Sequence, residues 1–267
     1  MRVPKEHGAW AMLFVPFVAG TLAAGGTAVA NALPVLLLLG AVTGLFLGRE
    51  SALAWLRQRD RSLDPAADRR ATLWQLGGAL LCGAALLRVR PPLGSPPPLQ
   101  IVPLGLFGAL VLGVHLQQMR RREGRTVMGE VLAILALTCT APAAFLVARA
   151  DWSPRALVLW ALCALFFASS VFHVKARVLG LQPRRAAARD AMRRASAAYH
   201  GLLLVALVLG AVTGQLHPLL AVAFLPVIVR ALLALAMPPG RLDLTRAGVL
   251  EIVYSLVFLV FVTLAGW

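Results

Sequence analysis

Charge is what this 267-residue chain has least of: 14% of its residues are Asp, Glu, Lys or Arg, against about 25% in soluble domains. Acids are scarcer than bases, 11 against 26, which leaves a formal charge of +15. Cysteine is nearly absent. Cys82, Cys139 and Cys163 all fall in apolar stretches, without CxxC or haem-attachment spacing. That excludes a disulfide framework and gives no thiolate metal site. What fills the chain instead is apolar: 60% hydrophobic residues and a mean hydropathy of +0.80. A chain this apolar needs lipid as its solvent, and the composition predicts an all-α, multi-pass membrane protein.

Apolar stretches of spanning length predict nine transmembrane helices, at about 8–30, 32–49, 72–89, 100–118, 128–148, 155–173, 197–214, 218–236 and 247–266. They form a single polytopic domain over residues 1–267. The first stretch has no small-x-small cleavage pattern, so a removed signal peptide is not expected. Placing the N-terminus in the cytoplasm and the C-terminus outside puts twenty-one of the 26 bases on the cytoplasmic side. Arg88, Arg90, Arg149 and Arg155 then face outside, and Arg230 lies within a span. This asymmetry assigns the basic charge to topology in the inner (cytoplasmic) membrane, and nucleic acid is not expected as a partner. Arg90 to Pro98 is a stiff, proline-rich connector. Two cytoplasmic loops are long, 49–71 and 174–196, and both have the composition of interfacial helices. They follow the second and sixth helices, which suggests two four-helix halves with a ninth helix appended.

Ionisable residues at or inside the spans are the candidates for function. Lys5 and His7 stand at the start of the first helix, either as donors to an anionic headgroup or as interfacial anchors beside Trp10. Arg49 and Glu50 close the second helix. Asp60, Asp64 and Asp68 repeat at four-residue spacing, as a metal-holding stripe would. Pro65 and the surrounding arginines favour local ion pairing, so no metal or cofactor is assigned. Glu251, inside the ninth span, has Arg246 and Arg230 as candidate partners, and Tyr254 shares its face. His173, Lys175 and Arg177 end the sixth helix. Continued helix would put His173 and Arg177 on one face and Lys175 on another; an extended exit would align all three. Arginine holds phosphate through two hydrogen bonds and lysine adds a point charge. A stop-transfer cluster accounts for the arginines behind them, but less well for His173.

Pro4-Lys5-Glu6-His7-Gly8-Ala9-Trp10-Ala11-Met12-Leu13 resembles the N-terminal signature of YwiC-like bacterial membrane proteins. Gly48-Arg49-Glu50-Ser51 and Ser169 to Arg177 resemble two further signatures, so the resemblance runs over essentially the whole chain. More coarsely, the layout is similar to the UbiA superfamily of intramembrane prenyltransferases. That resemblance implies a nine-helix bundle with sites in the loops after helices two and six. Those enzymes carry Asp-rich, magnesium-binding motifs there. Here Gly48-Arg49-Glu50-Ser51 and His173-Val174-Lys175-Ala176-Arg177 stand in their place, and bases attract an anion directly.

These residues together suggest a cytoplasm-facing chamber for an anionic amphipathic lipid or isoprenoid. Lys5, His7, Arg49, Glu50, Lys175 and Arg177 would contact the substrate. His173 would be the acid–base group of any transfer, because histidine changes charge near neutral pH. Two other classes remain open. A transporter would use Pro16, Pro142 and Pro226 as helix interruptions, and a non-catalytic assembly protein would present the basic loops to a partner or to anionic lipid.

Overall fold

The computed structural model describes residues 7–57, 65–89, 98–120, 127–151, 153–181, 186–236 and 244–267, and among them every regular element is an α-helix. Eleven occur in chain order: α1 (His7–Ala23), α2 (Thr27–Ala30), α3 (Ala32–Arg57), α4 (Pro65–Arg88), α5 (Pro98–Arg120), α6 (Val127–Thr138), α7 (Thr140–Arg149), α8 (Arg155–Gly180), α9 (Ala186–Val212), α10 (Pro218–Ala236) and α11 (Leu244–Leu264). Helices satisfy their own backbone polar groups, as a lipid solvent demands. Six described segments are long and apolar enough to cross a membrane: Ala32–Leu53, Ala66–Arg88, Gly129–Arg149, Arg155–Gly180, Ala186–Val212 and Pro218–Ala236. Gly8–Ala23, Ile101–Val111 and Gly248–Leu264 are apolar but shorter.

Much of both expected loops is helical. α3 runs on to Arg57, α8 to Gly180, and α9 begins at Ala186. Alanine, leucine and arginine are strong helix formers, so these segments propagate past the apolar boundary. Pro65, expected to interrupt a helix, instead starts α4, where its missing N–H is no loss.

By packing, the chain divides into two compact units, Met1–Trp160 and Ala161–Trp267. In the first, two expected helices are interrupted. α1 ends where Gly25 takes a positive φ of 67°, a helix stop open to glycine. α6 gives way to α7 at Cys139; Pro142, three residues on, cannot donate to the carbonyl of Thr138 and crowds it. α7 is buried from Thr140 to Ala148. It packs backbone to backbone on α1, where a Cβ on Gly20 would lie 2.2 Å from the Ala141 carbonyl oxygen. Thr140 Oγ1 donates to Leu13 O at 3.0 Å, and Asn31 Nδ2 donates to Ala148 O at 3.0 Å. α3 meets α4 through Gly40, Gly44 and Gly48, set against Cys82, the Gln75–Ala79 backbone and Leu76. Small residues one turn apart let helix backbones close up without water to drive them together.

In the second unit, Phe166, Phe224 and Phe258 are fully buried and stack or meet edge-on at centroid distances of 4.2 to 6.0 Å. α9 turns two polar residues inward: Ser196 and His200 are buried with Leu203 and Leu207. Leu202, Val205, Leu209 and Val212 stay exposed. That is the reverse of a helix that faces water.

Gly20→Leu should be the most damaging glycine substitution, because the new side chain meets backbone rather than a movable side chain. Overpacking of this kind costs roughly 1–3 kcal/mol or more. Thermal unfolding in detergent should therefore show a large loss for Gly20→Leu and little change for Gly8→Ala, where nothing lies within 4 Å. Equal melting temperatures would refute the backbone contact.

Candidate functional site

The first unit holds a half-open cavity of about 340 Å³. α3 supplies Leu38, Val42, Leu45, Phe46 and Arg49; α1 adds Leu13. α5 contributes Ile101, Leu104 and a run of small residues at Gly105, Gly108, Ala109 and Gly113, while Ala133, Ala136, Leu137, Cys139, Thr140 and Ala143 close the other side. The lining is apolar apart from Cys139, Thr140 and one charged residue, Arg49. Arg49 lies at the end of its lining face, with its guanidinium carbon 5.2 Å from the centre of the Phe46 ring. Trp10 meets the same ring edge-on at 5.0 Å and stacks on Phe14 at 5.6 Å. The first turn of α1, which His7 opens, is therefore at the Arg49 end. Gly48 and Ser51 of the same stretch face elsewhere. Gly48 packs on Leu76, and buried Ser51 lies 2.7 Å from the Gln75 side-chain amide.

The second unit holds a polar cluster among apolar helices. Arg230 Nη1 on α10 is paired with Glu251 Oε1 on α11, and the side chains are only 11% and 18% exposed. Ser170 on α8 donates to Glu251 Oε2 at 2.5 Å, so both carboxylate oxygens are used. The Arg230 guanidinium also lies 5.2 Å from the centre of the Tyr254 ring. At the preceding residue of α8, Ser169 Oγ is 2.8 Å from His200 Nε2. His200 Nδ1 lies 2.7 Å from the Ser196 carbonyl, which can only accept. The proton of the neutral ring is thus on Nδ1, leaving Nε2 to accept from Ser169. The order Ser–His–carbonyl matches a nucleophile and its base. Both side chains are fully buried, however, so the arrangement ties α8 to α9. A small cleft of about 20 Å³, room for about one water, is lined by His173, Ala176, Arg177, Gly180, Arg193 and Ser196 with part of α10. His173 Nδ1 is buried there without a partner, and Arg193 Nη2 donates to Leu235 O at 2.6 Å.

The predicted site residues divide between the units. Lys5 lies outside the described residues; His7 and Glu50 are placed as helix positions, in α1 and α3. Arg49 reaches the cavity of the first unit. In the second, α8 continues as helix through Gly180, so His173 and Arg177 share a face and line one cleft, and Lys175 is not among its lining residues. Asp60 and Asp64 lie outside the described residues, and Asp68 is buried in the first turn of α4. Among the described residues no group of three His, Cys, Asp or Glu side chains comes together. The pairing of Glu251 was legible, since Arg230 was one of its two candidates. His200 was missed, although an ionisable residue inside the predicted span 197–214 was the signal for it.

A family model described as YwiC-like protein matches residues 3–145. The stretches Pro4–Leu13 and Gly48–Ser51 lie within that match, and Ser169–Arg177 lies beyond it. No curated protein and no solved structure matches the chain.

Removing one partner of a buried ion pair typically costs about 3–5 kcal/mol, because the other charge is stranded. Glu251→Ala should thus lower the melting temperature sharply. The double variant Arg230→Met with Glu251→Leu should recover most of the loss. A double variant no better than Glu251→Ala would mean that the pair is not the source of the effect.

Proposed function

The chain belongs to the YwiC-like family and is a multi-pass membrane protein, and from that premise we propose that its first unit binds an anionic amphipathic lipid or isoprenoid. The observation that carries this reading is the 340 Å³ apolar cavity with Arg49 as its charged lining residue. Cavities of roughly 300–1,000 Å³ with few polar groups are typical small-molecule sites. The division into an apolar barrel and one guanidinium suits a hydrocarbon tail with a phosphate or carboxylate head. Lys5 and His7, by their place before and at the start of α1, and Glu50, next to Arg49, would complete the headgroup end. In the second unit, His173 is our candidate for exchanging a proton, with Lys175 and Arg177 as further anion contacts; the cleft lined by His173 and Arg177 supports that assignment.

The same proposal includes nine crossings in the cytoplasmic membrane with the N-terminus inside, supported by the distribution of the 26 bases. It includes a UbiA-like bundle, supported by the order of apolar segments and long basic linkers. Group transfer to or from the bound lipid is the reaction class it extends to. Bases where Asp-rich motifs would stand favour direct anion binding over a magnesium-bridged diphosphate.

One observation favours a second reading, transport. The interrupted helices α1–α2 and α6–α7 are the first and fifth segments, which correspond in a four-helix repeat. Broken helices in corresponding positions are a feature of transporters.

Mass spectrometry of lipids that co-purify with the protein separates these. The lipid reading expects an anionic lipid in the wild type, about tenfold less of it in Arg49→Ala, partial recovery in Arg49→Lys, and unchanged membrane insertion in all three. Equal retention by Arg49→Ala would overturn it. Substrate-dependent flux in proteoliposomes, without a retained lipid, would establish transport instead.

A further inference from the structure

We infer that the cavity of the first unit is a gauge of tail length, with Ala143 and Leu38 as its floor, for a chain whose anionic end is held at Arg49. The inference rests on the amphipath reading above and names the property by which that site selects.

Three stretches of helix give the cavity its length independently. On α3 the lining residues Leu38, Val42, Leu45, Phe46 and Arg49 share one face; the eleven steps between the outermost two rise about 16 Å. On α5 the lining runs from Ile101 to Gly113, about 18 Å. On α6–α7 it runs from Ala133 to Ala143, about 15 Å. A bilayer with a hydrocarbon core of about 30 Å gives a chain in one leaflet about 15 Å. The cavity is thus as deep as one tail.

Its two ends differ in chemistry and in stiffness. At one end stands Arg49, one turn from Phe46, against which Leu137 and the first turns of α1 pack. Ala143 follows Leu137 by six residues, away from that end, and Leu38 precedes Phe46 by eight. Both Leu38 and Ala143 are buried. Behind Ala143 there is no slack, since α7 is buried along its length and Gly20 of α1 lies against the Ala141 and Phe145 backbone. The wall opposite α3 is different. A Cβ on Gly105, Gly108 or Gly113 would meet nothing within 4 Å. Width is therefore open to variation, and depth is not. A tail that overruns the floor must overpack it.

The test loads the full-length protein in detergent with equimolar mixtures of monoalkyl phosphates of graded length, and separately with isoprenyl phosphates. Native mass spectrometry reads the occupancy of each. We expect occupancy to fall about tenfold or more once the extended tail exceeds about 16 Å. The break should come at the same physical length in both series. Ala143→Phe should move it to shorter tails and Leu38→Ala to longer ones. The opposed pair guards against a folding defect, which cannot lengthen the preferred tail. Occupancy without a break, or a break that neither variant moves, would overturn the gauge while Arg49→Ala still weakens loading. If no phosphate of any length loads, or if Arg49→Ala changes nothing, the amphipath reading itself fails, and the gauge with it.

Discussion

Between apolar helices a polar group has no water to fall back on, and its partner must come from the protein. That constraint explains most of what the described residues do. Hydroxyls fold back onto the carbonyl one turn earlier, as Thr72, Thr138, Ser255 and Thr263 do. Where a helix breaks, a side chain crosses to a neighbouring backbone: Thr140 to Leu13, Asn31 to Ala148. Charges follow the same rule. Glu251 receives both a guanidinium and a hydroxyl, so neither oxygen is left bare.

The cavity of the first unit reflects a second constraint, on packing. Close packing is available nearby, on the α1–α7 and α3–α4 seams, where glycines bring backbones into contact. Along α5 the glycines meet no opposing side chain. Small residues thus serve two opposite ends in one unit, closing two seams and leaving a third side hollow. An apolar hollow of this size with one guanidinium at its end is the observation on which the proposed amphipath site rests. The second unit solves the polar constraint inwardly. It uses its polar residues to hold α8, α9, α10 and α11 to one another, with a water-sized cleft beside His173.

Much of this was legible in order and composition. Apolar length located the helices, because a lipid solvent leaves few alternatives to them. The exit of α8 was open between two conformations, and the continued helix decided that His173 and Arg177 share a face. The cavity itself left no mark on the pattern. Its small residues have the composition of any membrane helix, and whether a glycine meets a neighbour or a void depends on which helix stands opposite.

By itself, then, the sequence determined a membrane-embedded, helical chain and the short menu of partners for Glu251. These follow from local chemistry: hydropathy and the rarity of intramembrane charge. Tertiary structure alone chose Arg230 for Glu251, joined His200 to Ser169, and turned Arg49 to a cavity while Ser51 faced Gln75. Each of those outcomes depends on how helices far apart in sequence are rotated and aligned in depth. A step of one residue turns a side chain by about 100°, so a small change in rotation exchanges one partner for another.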